Sequence, residues 1–206
     1  MVRLACLVLP GLCRRAAPDT TTACYNFRMR LDPATSVLCV IDVQERLLAV
    51  MADADRVVAR SRRLAEAAGL LGVKRLLTEQ YPQGLGTTPP GLSALLPPPL
   101  AKKSFSCCGC DGFDAGIDAC VSAVVIAGLE THVCVTQTSL DLLGRGVDVF
   151  VAVDAVASRH PIDHDVALRR LESAGAVLTT SEAVLFEWCR SADHPQFQAV
   201  RRLVLE

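Results

Sequence analysis

An excess of either charge is the first thing this chain lacks. Its 206 residues carry 21 lysines and arginines against 22 aspartates and glutamates, a formal net charge of -1 with the signs dispersed. That leaves no electrostatic footprint for nucleic acid or an anionic membrane. It also lacks an apolar run of bilayer length: the stretch Leu4 to Leu9 stops at Pro10, whereas about 20 residues are needed to span a membrane as a helix. There is no internal repeat and no low-complexity tract. A disulfide framework is missing too. The ten cysteines are unevenly placed, with Cys107, Cys108 and Cys110 crowded together and Cys39 inside an apolar run. Reduced thiols in a cytosol-like compartment fit that pattern better than a secreted scaffold. The crowded trio has no second ligand pair at a spacing that would close a zinc site. What remains is a small-molecule partner, with no metal, no cofactor, no nucleic acid and no membrane expected.

With 51% hydrophobic residues, the chain can bury one substantial core, and one domain is expected over residues 29–206. Residues 1–28 differ. Arg14 and Arg15 follow the apolar run, and no acid precedes Asp19. The segment reads as a targeting peptide, a signal sequence, or a disordered extension ahead of a start at Met29. The charge order of a secretory signal, basic first and then apolar, is poorly met. A cytoplasmic protein is the expectation, with mitochondrial targeting by this segment as the alternative.

Apolar runs of strand length alternate with helical periodicity, the pattern of a parallel sheet with crossover helices. Six runs are expected: Val37 to Asp42, Val73 to Thr78, a short one near Leu100 to Lys102, Ala123 to Gly128, Val147 to Val153, and Ala176 to Thr179. The helix after the first has apolar Val57, Leu64, Ala68 and Leu71, and another is expected over Thr131 to Leu143. Pro161 opens a helix that Gly175 closes. The Pro/Gly-rich passage Gln80 to Pro99 is expected to hold no regular element, and Ser181 to Leu205 to form two short helices parted by Pro195.

In open α/β sheets ligands bind beyond the carboxyl ends of the strands, so polar residues that end apolar runs stand out. These are Asp42, Lys102 and the segment Thr131 to Cys134. With Thr131 as N-cap, Cys134 falls at the third helical position, where free N–H groups and the helix dipole favour an anion. A thiolate is such an anion, and a nearby ammonium lowers a cysteine's pKa further. Asp42 could then take and return the proton while Lys102 holds the charge. The plainer alternatives are an inert packed cysteine and an aspartate that only caps the next helix.

Four ordered motifs bear on the choice: Leu38-Cys39-Val40-Ile41-Asp42-Val43-Gln44, Thr78 to Gly86 (TEQYPQGLG), Lys102-Lys103-Ser104-Phe105-Ser106, and Gly128-Leu129-Glu130-Thr131-His132-Val133-Cys134-Val135. Together they resemble the isochorismatase-like cysteine hydrolases, and within them the isochorismatase domain-containing proteins, from about Ser36 to the C-terminus. The resemblance implies a Rossmann-like three-layer α/β/α fold with a six-stranded parallel sheet of order 3-2-1-4-5-6. It implies Asp42, Lys102 and Cys134 as catalytic residues, with Lys103 as rival to Lys102. It also implies a cis peptide between Leu129 and Glu130 that aims the amides of Glu130 and Cys134 at an oxyanion, and a homo-oligomer. Tyr81, Phe105 and Leu129 are candidate pocket walls or else simple core, Gln44 and Glu79 are candidates to touch substrate or else to hold loops, and His132 is expected to be packing or surface.

The chain departs from the nicotinamidases of that superfamily, which hold a metal with one Asp and two His near the second strand. No histidine precedes His132. True isochorismatases lack the cysteine, since vinyl ether hydrolysis needs no thiol adduct. The expected activity is therefore hydrolysis of a small amide or related carbonyl compound through a thioester at Cys134. Isochorismate-type hydrolysis and a non-catalytic binding module on the same fold are the alternatives.

Overall fold

The computed structural model describes residues 30–205, so the expectations for residues 1–28 lie outside the described residues. Strand β1, Ser36–Ile41, is buried along its whole length. Val37, Cys39 and Ile41 face one apolar cluster and Leu38 and Val40 the other. Cover on both faces is why this run reads as continuously apolar rather than alternating.

A short α1 (Glu45–Leu48) leads to α2 (Ala54–Leu70), which buries Val57, Ser61, Leu64, Ala65 and Ala68 along one stripe. Then come β2 (Lys74–Gln80), β3 (Leu100–Lys102), α5 (Asp111–Gly116) and β4 (Ala123–Leu129). The passage between β2 and β3 is not irregular throughout, as expected, but holds α3 (Pro82–Leu85) and α4 (Pro90–Ser93). Each opens on a proline, whose missing N–H costs nothing in a first turn. A π-helical turn, Thr131–Val135, runs into α6 (Thr136–Gly144), followed by β5 (Asp148–Ala157), α7 (Pro161–Ser173) and β6 (Val177–Thr179). Helices α8 (Ser181–Cys189) and α9 (Phe197–Leu205) flank Pro195.

The sheet is all parallel, in the order β3-β2-β1-β4-β5-β6. Besides β4, which gains Leu129, two strands run past their expected ends. β2 continues to Gln80 because Glu79 and Gln80 pair with Ala101 and Lys102. β5 continues to Ala157 because, beyond a register shift at Gly128, Val156 and Ala157 pair with Gly128 and Leu129. Both extensions depend on a neighbouring strand, not on local composition. Among the described residues no helix is long and apolar enough to cross a membrane.

Candidate active site

Three adjacent strands each hand over to a non-glycine residue with positive φ: Asp42 (53°) after β1, Tyr81 (38°) after β2 and Glu130 (57°) after β4. Each such residue costs on the order of 1–3 kcal/mol, and residues of this kind gather where the turn serves a site. Because β1 lies between β2 and β4, the three turns meet at the carboxyl edge of the sheet, at its topological switch point.

Lys102 and Asp42 form a buried ion pair there, Nζ to Oδ2 at 2.7 Å, with side chains 1% and 0% exposed. Burying two charges is costly unless every donor and acceptor is met. Here Lys102 Nζ also donates to Gln80 Oε1 (2.8 Å) and to the carbonyls of Phe105 (3.1 Å) and Ser104 (3.2 Å). The second carboxylate oxygen of Asp42 accepts from the Thr78 hydroxyl at 2.8 Å, and its backbone N–H donates to Thr78 O. Burial works against the Lys102 charge, but Asp42, with Cys107 and Cys134, outweighs it and raises the pKa. Lys103, the rival, is exposed.

Cys134 is buried, and its thiol lies near enough to the Asp42 carboxylate for that group to favour the protonated sulfur. Burial first, then the Asp42 charge, pushes its pKa far up, and Lys102 offsets only part. This overturns the expected lowering. The helix terminus and the ammonium cannot prevail in a dry site where the ammonium is already committed to a carboxylate. The resting pair is thiol and carboxylate.

A pH dependence follows. An unfolded thiol ionises near about pH 8.5, while folded Cys134 keeps its proton. Its contribution to stability is complete below that pH and is lost as pH rises through the folded value. Lys102, also raised, acts with the same sign at higher pH. The Tm of the wild type is expected to fall between about pH 8 and 10, with a shallower fall in Cys134→Ala. Equal slopes would contradict the assignment.

The turn bearing Cys134 differs from expectation in two ways. All described peptide bonds are trans, so the cis peptide before Glu130 is not there; the chain reverses through the positive φ of Glu130 instead. Thr131 is not the N-cap. Glu130 occupies that position, and Cys134 is the fourth residue of a π turn. The Thr131 hydroxyl meets His164 Nδ1 at 3.0 Å, and its carbonyl accepts from the Thr136 hydroxyl at 2.6 Å. The buried Glu130 carboxylate has Arg159 Nε at 2.7 Å and His132 Nδ1 at 3.2 Å, although neither oxygen has an aligned hydrogen bond. His132, which also meets Ser158 Oγ at 3.0 Å, therefore braces this turn.

The remaining candidates separate into two kinds. Gln44 spends its amide on the β2–α3 region, donating to Gln80 O and Gly86 O and accepting from Gln80 N. Glu79 accepts from Thr88 N. Both hold loops. Tyr81 and Phe105 are 50% and 54% exposed, so they are not core. Their backbones are tied to the site, Tyr81 N to Lys102 O (2.9 Å) and Phe105 O to Lys102 Nζ. Leu129, at the end of β4, is fully buried.

Three further residues join the site without a signal of their own in the sequence. Thr78 and Gln80 lie in the TEQYPQGLG segment, and the alignment of β2 beside β1 could have found them. Cys107, one of the crowded trio whose spacing closes no zinc site, is fully buried, with Sγ 3.7 Å from Thr78 Oγ1. The buried Cys39 thiol interacts with it, which raises the Cys39 pKa and lowers that of Cys107. Among the described residues no group of three or more His, Cys, Asp or Glu is placed to hold a metal ion.

A family model described as "Isochorismatase domain" matches residues 36–183. The isochorismatase domain-containing protein 2 of Bos taurus is 41% identical over 177 residues, covering 86% of each chain. Among solved structures, that of MAR1 ribonuclease from Caenorhabditis elegans superposes with a TM-score of 0.82 at 42% identity, over 86% of this chain and 93% of the other. YcaC from Pseudomonas aeruginosa, solved with hexane-2,5-diol and covalent acrylamide, gives 0.78 at 29% identity, over 84% and 90%.

Proposed function

The chain belongs to the isochorismatase family, and on that premise we propose that it is a metal-independent cysteine hydrolase of small amides or related carbonyl compounds. The observation that carries this reading is the Cys134 thiol set against a carboxylate that is itself held by a buried ammonium.

Asp42 takes the thiol proton as sulfur attacks the substrate carbonyl, so thiolate is formed only when a carbonyl is there to receive it. The oxyanion is taken by the N–H groups of Glu130 and Cys134, with Leu129 fixing the first of them. A π turn bonds each N–H five residues back, which leaves its opening amides without a partner inside the turn. Protonated Asp42 then gives its proton to the leaving nitrogen, and ammonia or an amine departs from a thioester. A water attacks that thioester, losing a proton to Asp42. As the C–S bond breaks, Asp42 returns that proton to the departing sulfur, so the carboxylic acid leaves and the thiol and carboxylate are restored. Lys102 holds the Asp42 carboxylate in place through both half-reactions by the 2.7 Å ion pair. Tyr81 and Phe105 line the approach as apolar walls.

The acrylamide bound covalently in the Pseudomonas neighbour makes that compound a useful probe, since it joins a primary amide to an alkene that thiols attack. Peptide mapping by mass spectrometry is expected to find it on Cys134, in preference to Cys39 or Cys107. Ammonia release from a panel of small primary amides is expected to fall on the order of 1,000-fold or more in Cys134→Ala with the fold retained. Retained release in that variant would overturn the proposal. Isochorismate-type vinyl ether hydrolysis needs no thiol adduct and would survive the same substitution.

A further inference from the structure

The outer face of α2 forms, with Leu203 of α9, a cavity of about 420 Å3 that shares no residue with the Asp42, Lys102 and Cys134 site. Arg56, Arg60 and Arg63 recur at helical spacing along one stripe, and Arg62 and Glu66 lie beside them. Four guanidiniums and one carboxylate therefore line the cavity.

Arginines on a solvated helix face ordinarily have carboxylates of their own, and three of these do. Arg56 pairs with Asp53 at 3.0 Å, Arg62 with Glu66 at 3.5 Å and Arg60 with Asp154 at 3.6 Å. Arg63 is the exception: among the described residues no carboxylate stands within ion-pair distance of it. Asp154 is already occupied, since Ser181 donates both its N–H and its hydroxyl to that carboxylate. Asp154 and Glu182 act on Arg63 only from farther away, while burial and the like charge of Arg60 lower its pKa.

Like charges gathered in a half-buried concavity are relieved by an anion, and a guanidinium fork matches phosphate oxygens two at a time. The volume lies in the usual range of small-molecule sites, about 300–1,000 Å3, which is more than a single phosphate fills. We propose that this cavity is a second binding site, for a small organic polyphosphate of nucleotide size, with Arg63 as its main anion ligand and Arg60 and Arg56 on either side.

The test is calorimetric titration of the full chain with magnesium-free ATP, with inorganic phosphate as the small comparison. ATP is expected to bind more tightly than phosphate, and more weakly as salt rises from about 0.05 to 0.3 M. Arg63→Gln, which breaks no ion pair, is expected to weaken ATP binding by about tenfold. Glu66→Gln removes the one lining carboxylate and is expected to tighten it, a change of opposite sign that unfolding cannot imitate. The proposal is overturned if ATP does not bind at millimolar concentration, or if both variants bind it as the wild type does. It is equally overturned if a single-stranded RNA decamer binds through Arg63 while ATP does not.

Discussion

Asp42→Asn is expected to make Cys134 easier to alkylate at neutral pH and, at the same time, to stop turnover. In the folded chain the Cys134 proton is held first by burial and then by the Asp42 charge, against the pull of Lys102. Asparagine keeps the shape but removes the charge. Lys102 retains Gln80 Oε1 and the carbonyls of Ser104 and Phe105, so it stays satisfied and now acts on the sulfur alone. The thiol pKa falls, and iodoacetamide should label Cys134 about tenfold faster or more near pH 7. Yet an amide can neither accept the thiol proton nor return it to a leaving group. Ammonia release should drop on the order of 100- to 10,000-fold. Labelling mapped by mass spectrometry also detects unfolding, because the other buried thiols, Cys39, Cys107 and Cys189, would then react as well. Slower labelling of Cys134 in the variant would mean that Asp42 activates the resting thiol, and a resting pair of thiol and carboxylate would be ruled out.

Gly128→Ala is expected to cost more than about 4 kcal/mol and to leave little folded protein. Gly128 has φ 145°, and a Cβ there would stand 2.2 Å from the carbonyl oxygen of Ile41 and 2.8 Å from its nitrogen. These are backbone atoms of the neighbouring strand at the paired position, so no side chain can swing away. Relief requires parting β1 from β4 one residue before Asp42 and shortly before the Cys134 turn. Any protein that folds should therefore lose activity out of proportion to stability. Gly144→Ala is the control: a Cβ there meets nothing within 4 Å, and the position ends α6. It should be neutral or slightly stabilising. Urea midpoints compare the three proteins, and a Gly128→Ala variant as stable as the wild type would refute the close approach of β1 and β4 as the reason for glycine.

Much of the fold was legible because its signals are local. A strand covered on both faces must be apolar throughout, and Val37 to Ile41 could be recognised as one. Val57, Leu64 and Ala68 could be assigned to a helix by spacing alone, and Pro161 and Pro195 marked boundaries through their missing N–H. Asp42, Lys102 and the turn of Cys134 were legible as polar residues at the ends of apolar runs, and the structure brings those three together. The short helices α3 and α4 were not legible, because Pro and Gly signal both turns and helix starts.

The sequence by itself determined the six-stranded parallel architecture and the small set of residues that end its strands, because periodicity and strand-end position are properties of neighbours along the chain. Only the tertiary structure decided that β2 and β5 run on beside their partners, that Glu130 turns the chain through a trans peptide, and that Thr78, Gln80 and Cys107 join the site. It alone decided the protonation of Cys134. That depends on how much water is excluded and on whether the nearest ammonium is free or already held by a carboxylate, and both are set by residues far apart in the chain.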